Sequence, residues 1–146
     1  MIIEKDYLIK SPIEKVWDFI SKPKLFGECI PDVGTYKQVS NRHFVLTVNP
    51  KFAFLKTTIV MDWKVLFFKR NHGKLSIKGK AIGSTFEAVS ELKLLKKKAH
   101  SLLKLNVAII KLSGLLKPVP DTIIKAAALK IADDIFNCVS HKLEGK

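Results

Sequence analysis

The chain has 146 residues, 47% of them hydrophobic and nine of them phenylalanine, which is the size of one domain with enough apolar surface for a core; disorder is excluded. No stretch approaches about 18 uncharged apolar residues, so a membrane-spanning helix is excluded too. The formal charge of +13 is concentrated in residues 51–117, where fifteen basic residues face three acids, and it is carried by lysine in 24 of 26 cases rather than by the arginine forks of nucleic-acid readers.

Ile2 to Ile9 reads as a first strand. Its charges at Glu4, Lys5 and Asp6 interrupt the apolar run a signal peptide needs, so the expected location is cytoplasmic, with peripheral attachment at the inner membrane face. Ser11-Pro12-Ile13-Glu14 then predicts a helix start, with Ser11 as the capping hydroxyl and Pro12 at the first helical position. The apolar stripe Ile13, Val16, Trp17 and Ile20 carries that helix to about Ser21. Pro23 opens a short second helix through Leu25, Phe26 and Cys29, which Pro31 ends.

From Val33 to Lys111 the period becomes alternating, and turn signals divide the run into about six strands. In Lys56 to Phe68, Thr57, Ile59, Met61, Trp63, Val65 and Phe67 are expected to face inward. Leu75, Ile77, Gly79 and Ala81 alternate with Lys74, Ser76, Lys78 and Lys80, which predicts a sheet with an apolar inner face and a lysine-bearing outer one. Phe86, Ala88, Leu92 and Leu94 continue the inner face, as do Leu103, Leu105, Val107 and Ile109. Pro118, Pro120 and Asp121 open a helix to about Leu143 whose stripe contains Ile124, Ala128, Ile131, Ile135 and Val139. It is long enough to cover the sheet.

An apolar inner face suits a cavity for an apolar small molecule, and Leu46, Ile59, Met61, Trp63, Ile77, Phe86 and Ala88 are its expected walls. Leu103 and Leu105 from the last strand and Ile124, Ala128 and Ile131 from the final helix complete them, while the inward serines Ser90 and Ser101 are candidates to orient a polar group. A backbone hydrogen bond is the alternative role for either serine. Connections in a meander alternate between its two ends, so the loops near Phe52, near Gly83 and from Ser113 to Val119 share one end with the start of the final helix. Two of those loops are apolar and flanked by lysine: Lys51, Phe52, Phe54, Leu55 and Lys56 in one, Leu115, Leu116 and Lys117 in the other. They are expected to form a mouth that docks on an anionic membrane, Phe52, Phe54 and Leu116 inserting, or alternatively to plug the core.

Catalytic chemistry finds no constellation. His43, His72, His100 and His141 fall at turns or at a helix end, Asp62 and Glu87 alternate onto the outer face, and no metal-site or nucleophile motif occurs. Cys29 and Cys138 lack ligand-like spacing and read as small buried apolar side chains, a long-range disulfide being the alternative.

The order of elements resembles the START-like helix-grip superfamily and, within it, the carbon monoxide dehydrogenase CoxG family. The residues that carry the resemblance are Ser11-Pro12-Ile13-Glu14-Lys15-Val16-Trp17, Ile30-Pro31-Asp32-Val33, and the stretch from Ile110 through Asp133-Asp134-Ile135-Phe136, so that it spans nearly the whole chain. Asp32 stands where that family usually has glycine, and the Ser113–Val119 loop lacks its usual glycine pair. The resemblance implies an α+β helix-grip fold over residues 1–146, β-α-α-β6-α, with a seven-stranded antiparallel sheet wrapped around the last helix. It also implies a non-enzymatic accessory protein, without cofactor or metal, that binds a lipid or quinone-like molecule, associates with membranes and serves a molybdenum hydroxylase type oxidoreductase. The competing expectations are an interaction module that offers its basic sheet face to an acidic protein and a cyclase or hydrolase-like enzyme; nucleic acid is not an expected partner.

Overall fold

The computed structural model describes residues 1–145. The chain runs β1 (Ile2–Ile9), α1 (Ile13–Ile20), α2 (Pro23–Gly27), β2 (Val33–Ser40), β3 (His43–Val48), β4 (Ile59–Lys69), β5 (His72–Ala81), β6 (Ser84–Lys97), β7 (His100–Gly114) and α3 (Asp121–Leu143). This is the β-α-α-β6-α order. The strands form one antiparallel sheet in the order β1-β7-β6-β5-β4-β3-β2, so α1 and α2 carry the chain from one edge of the sheet to the other while β2 to β7 form a meander.

Local chemistry accounts for most boundaries and corrects several. Pro12, not Ser11, is the residue that caps α1: its backbone is extended (φ −61°, ψ 148°) and its carbonyl accepts the first bonds, from the N–H groups of Lys15 and Val16. Ser11 is drawn into the core, where its carbonyl accepts a 2.7 Å hydrogen bond from the Ser101 hydroxyl. α2 closes at Gly27, short of Cys29. β4 begins at Ile59, so Lys56, Thr57 and Thr58 belong to the loop before it. The β4 alternation also breaks between Val65 and Phe67, where a bulge sets Phe67 opposite Lys74 and Phe68 opposite Gly73. Phe68, not Phe67, therefore turns inward against Trp17, while Phe67 sits edge-on to His72. A second bulge between β6 and β7 leaves Ile109 beside Ala88 and Leu112 beside Phe86, so both face inward.

Asp32 has φ +59°, a left-handed conformation in which aspartate is among the few tolerated side chains, and this explains how it replaces glycine there. The core centres on aromatic rings: Phe44 stacks on Trp63 at 5.5 Å, and Phe26 lies 6.0 Å from Trp63 and 6.3 Å from Phe136. α3 is tied to both flanks of the sheet. On one side Asp133 accepts hydrogen bonds from Lys5 and Tyr7 of β1, each 2.7 Å. On the other, Cys138 forms a disulfide with Cys29 just beyond α2, beside a 3.2 Å pair between Lys142 and Glu28. The two cysteines are thus not free apolar side chains. They lie 109 residues apart in sequence, and it is the packing of α3 against α2 that brings their Cα atoms to 5.4 Å.

Candidate functional site

Between α3 and the inner face of the sheet lies an apolar cavity of about 490 Å³. Its floor is a register row, Trp63 of β4 beside Ile77 of β5, Ala88 of β6 and Ile109 of β7, flanked by Ile59, Met61, Leu75, Phe86, Ser90, Leu105 and Val107. Its roof is the α3 stripe Ile124, Ala127, Ala128, Ile131, Ala132 and Ile135. The space exists because small residues stand where large ones would fill it. Three alanines of α3 and Ala88 face it, and Gly79 is covered by the Phe86 ring, which would lie 2.1 Å from any Cβ added there.

Eleven of the residues expected to form the walls lie in this lining: Ile59, Met61, Trp63, Ile77, Phe86, Ala88, Ser90, Leu105, Ile124, Ala128 and Ile131. Leu46, Leu103 and Ser101 do not. All three are almost completely buried in solid core, Leu46 between Tyr36 and Met61 on the neighbouring strands, Leu103 and Ser101 beside β1 at the end that α1 covers. Ser101 is occupied by its bond to the Ser11 carbonyl. The sequence pattern marks which residues point inward but not how far along the sheet α1 and α2 fill the interior, and so it missed Phe26 and Ile30, which reach the cavity from the α2 segment.

Loops from one end of the sheet bound the opening. Lys51, Phe52, Phe54, Leu55 and Leu116 line it, with Pro31, Asp32 and Pro50. Phe52 and Phe54 stack on each other at 5.5 Å in a small hairpin and are half-buried. Leu116 is only 4% exposed; it closes the wall beside Ile124 instead of projecting. Lys56, Leu115 and Lys117 are exposed outside the lining. Two ion pairs that no local motif announces sit on the rim, Asp32 with Lys51 at 3.8 Å and Asp134 with Lys130 at 2.7 Å. The bond to Asp134 raises the Lys130 amine above its ordinary value.

One polar group inside is out of balance. The indole N–H of Trp63 is buried at the cavity wall without a hydrogen-bond partner. A desolvated donor of this kind costs about 1–3 kcal/mol until an acceptor reaches it. The histidine–carboxylate pairs lie on the outer face of the sheet: His43 with Asp62 at 2.8 Å and His72 with Glu91 at 2.6 Å, the latter holding Glu91 below the usual carboxylate range. Among the described residues no group of three or more His, Cys, Asp and Glu is placed to hold a metal ion, and no helix is long and apolar enough to cross a membrane.

The same architecture recurs in solved structures at low identity. A conserved protein from Geobacillus kaustophilus superposes with a TM-score of 0.92 at 15% identity, covering 99% of this chain and 96% of that one. A START superfamily protein from Mycobacterium smegmatis gives 0.78 at 12% identity, over 99% and 97% of the two chains. Ara h 8.0201 gives 0.75 at 14% identity, over 100% and 99%. These likenesses establish the START-like helix-grip fold. No curated protein matches the sequence. The family model for the carbon monoxide dehydrogenase subunit CoxG matches residues 7–144, which is nearly all of the chain between β1 and the end of α3, and the protein belongs to that family.

Proposed function

We propose that the protein carries an apolar small molecule of the quinone or isoprenoid-lipid class in this cavity and exchanges it at a membrane, without catalysing a reaction. The observation that carries the reading is the cavity: its volume is within the usual range of small-molecule sites, its wall is apolar, and it opens at one end. At about 30 Å³ per water-sized volume it has room for on the order of sixteen such units. That suits one chain or one ring with a short tail. The unpartnered Trp63 N–H favours a cargo with a carbonyl or ether oxygen over a plain hydrocarbon. Docking would bring the mouth residues Phe52, Phe54 and Leu55 to the bilayer, with Lys51, Lys56 and Lys117 meeting anionic head groups. The family name supports a further step, in which the cargo serves an oxidoreductase of the molybdenum hydroxylase type.

The test is uptake. Delipidated protein mixed with a short-chain quinone should give a one-to-one complex in native mass spectrometry, and protein from its own host should release an apolar molecule on solvent extraction. Trp63→Phe should weaken quinone binding several-fold and leave squalene binding unaltered. No uptake of either probe by the delipidated protein, together with an empty extract, would sink the proposal.

A further inference from the structure

The two most exposed large apolar side chains among the described residues are Ile82, 84% exposed, and Leu115, 70% exposed. They are far apart in sequence but share one built feature at the mouth end of the sheet. Ile82 stands at the tip of the β5–β6 turn and Leu115 directly after β7, and the Leu115 N–H donates to the Gly83 carbonyl at 2.9 Å. Gly83 and Gly114 both have positive φ (+72° and +65°). A Cβ at Gly114 would fall 1.8 Å from the Gly83 oxygen, so this approach of the two turns requires glycine. The result is a fixed knuckle that holds two large apolar side chains in water. Ile123, 46% exposed in the first turn of α3, adds a third beside the cavity-lining Ile124.

The surroundings are cationic. Lys80 lies two residues before Ile82, Lys117 two after Leu115 and Lys125 two after Ile123, and all three are exposed. Across residues 80–85 and 111–125 the chain places four lysines and one acid, Asp121. Apolar tips ringed by lysine match the layering of an anionic bilayer, with head groups outside and acyl chains beneath. The Phe52–Phe54 hairpin differs: its rings are half-buried, stack on each other and line the cavity, so they lie on the path of the cargo.

We propose that the Ile82–Leu115–Ile123 knuckle is the element that inserts into an anionic phospholipid bilayer, and that the Phe52–Phe54 hairpin is the flap of the mouth. This deepens the carrier reading and rests on it for its purpose, but its test is separate. In sedimentation with vesicles, wild-type protein should bind phosphatidylcholine mixed with phosphatidylglycerol and bind phosphatidylcholine alone much less. Ile82→Asp with Leu115→Asp should lower partitioning into the mixed vesicles by at least about tenfold while uptake of the quinone probe in vesicle-free solution stays as in wild type. Ile82→Ser with Leu115→Ser, checked by thermal melting, covers the case in which the charged pair unfolds the turn. Phe52→Ser with Phe54→Ser should retain vesicle binding and alter cargo exchange. Undiminished binding by both knuckle variants would overturn the assignment, as would wild-type protein that ignores the mixed vesicles; self-association lost in the knuckle variants would make a second copy the occupant instead. Ala88→Phe, which fills the cavity, should dock normally, so failure of the carrier reading leaves this result standing.

Discussion

Asp133 shows how much of this fold rests on single side chains that no helical stripe predicts. It accepts from Lys5 and from the Tyr7 phenol, and these two bonds, the lysine first, hold its carboxyl below the usual carboxylate range. Burial, followed by the bond to Asp133, pushes the Tyr7 phenol well above its ordinary value. Because the native carboxyl pKa is the lower one, its contribution to stability is complete above the ordinary value of about 3.9 and fades as pH falls through the native value. Urea unfolding from neutral to acid pH should therefore show wild type and Asp133→Asn converging below about pH 4, and a gap that stays constant would assign the bond's worth to packing instead. Phe67 and Phe68 mark a different limit. With phenylalanine at both positions the alternation is equally good in either phase, and only the bulge, which follows from pairing with β5, decides which ring is buried.

At the scale of elements, proline, glycine and the change of period from helical to alternating place every strand and helix. What they do not supply is the depth to which elements interpenetrate. α1 and α2 enter the sheet from its β1 side, so Leu103 and Ser101 are sealed in core while Leu105, on the same face of the same strand, reaches the cavity. The disulfide belongs to this scale too, since neither cysteine lies near a local signal and it is the meeting of α2 with α3 that joins them. A covalent link across 109 residues removes unfolded-state entropy worth about 4–5 kcal/mol in the loop-closure picture. Cys29→Ser with Cys138→Ser should lower unfolding free energy by about 2–5 kcal/mol in urea, and a thiol reductant should produce a comparable drop in wild type and none in the double variant. Free thiol in the unreduced native protein would refute the pairing.

For the molecule as a whole, the inner face was legible as apolar but its emptiness was not, because volume depends on how far α3 stands from the sheet. Ala88 and the α3 alanines are the trace of that volume in the sequence, and filling it is the direct probe. Ala88→Phe should abolish uptake of an apolar fluorescent probe with a change in stability of less than about 2 kcal/mol in either direction, because the new ring occupies existing space; a large loss of stability with uptake retained would mean that the space is elsewhere. The covalent link also orders how the molecule can open. Every cavity-lining residue from Ile30 to Phe136 lies inside the ring closed by Cys29 and Cys138, with Phe26 just outside it, whereas β1 and α1 lie wholly outside. A segment outside the ring gains its full chain entropy on detaching, and one inside gains only what a closed loop permits. Amide hydrogen exchange should accordingly be faster in β1 and α1 than in β5 and β6, with reduction narrowing the difference, so that the protein can breathe along one edge while the walls around its cargo remain joined.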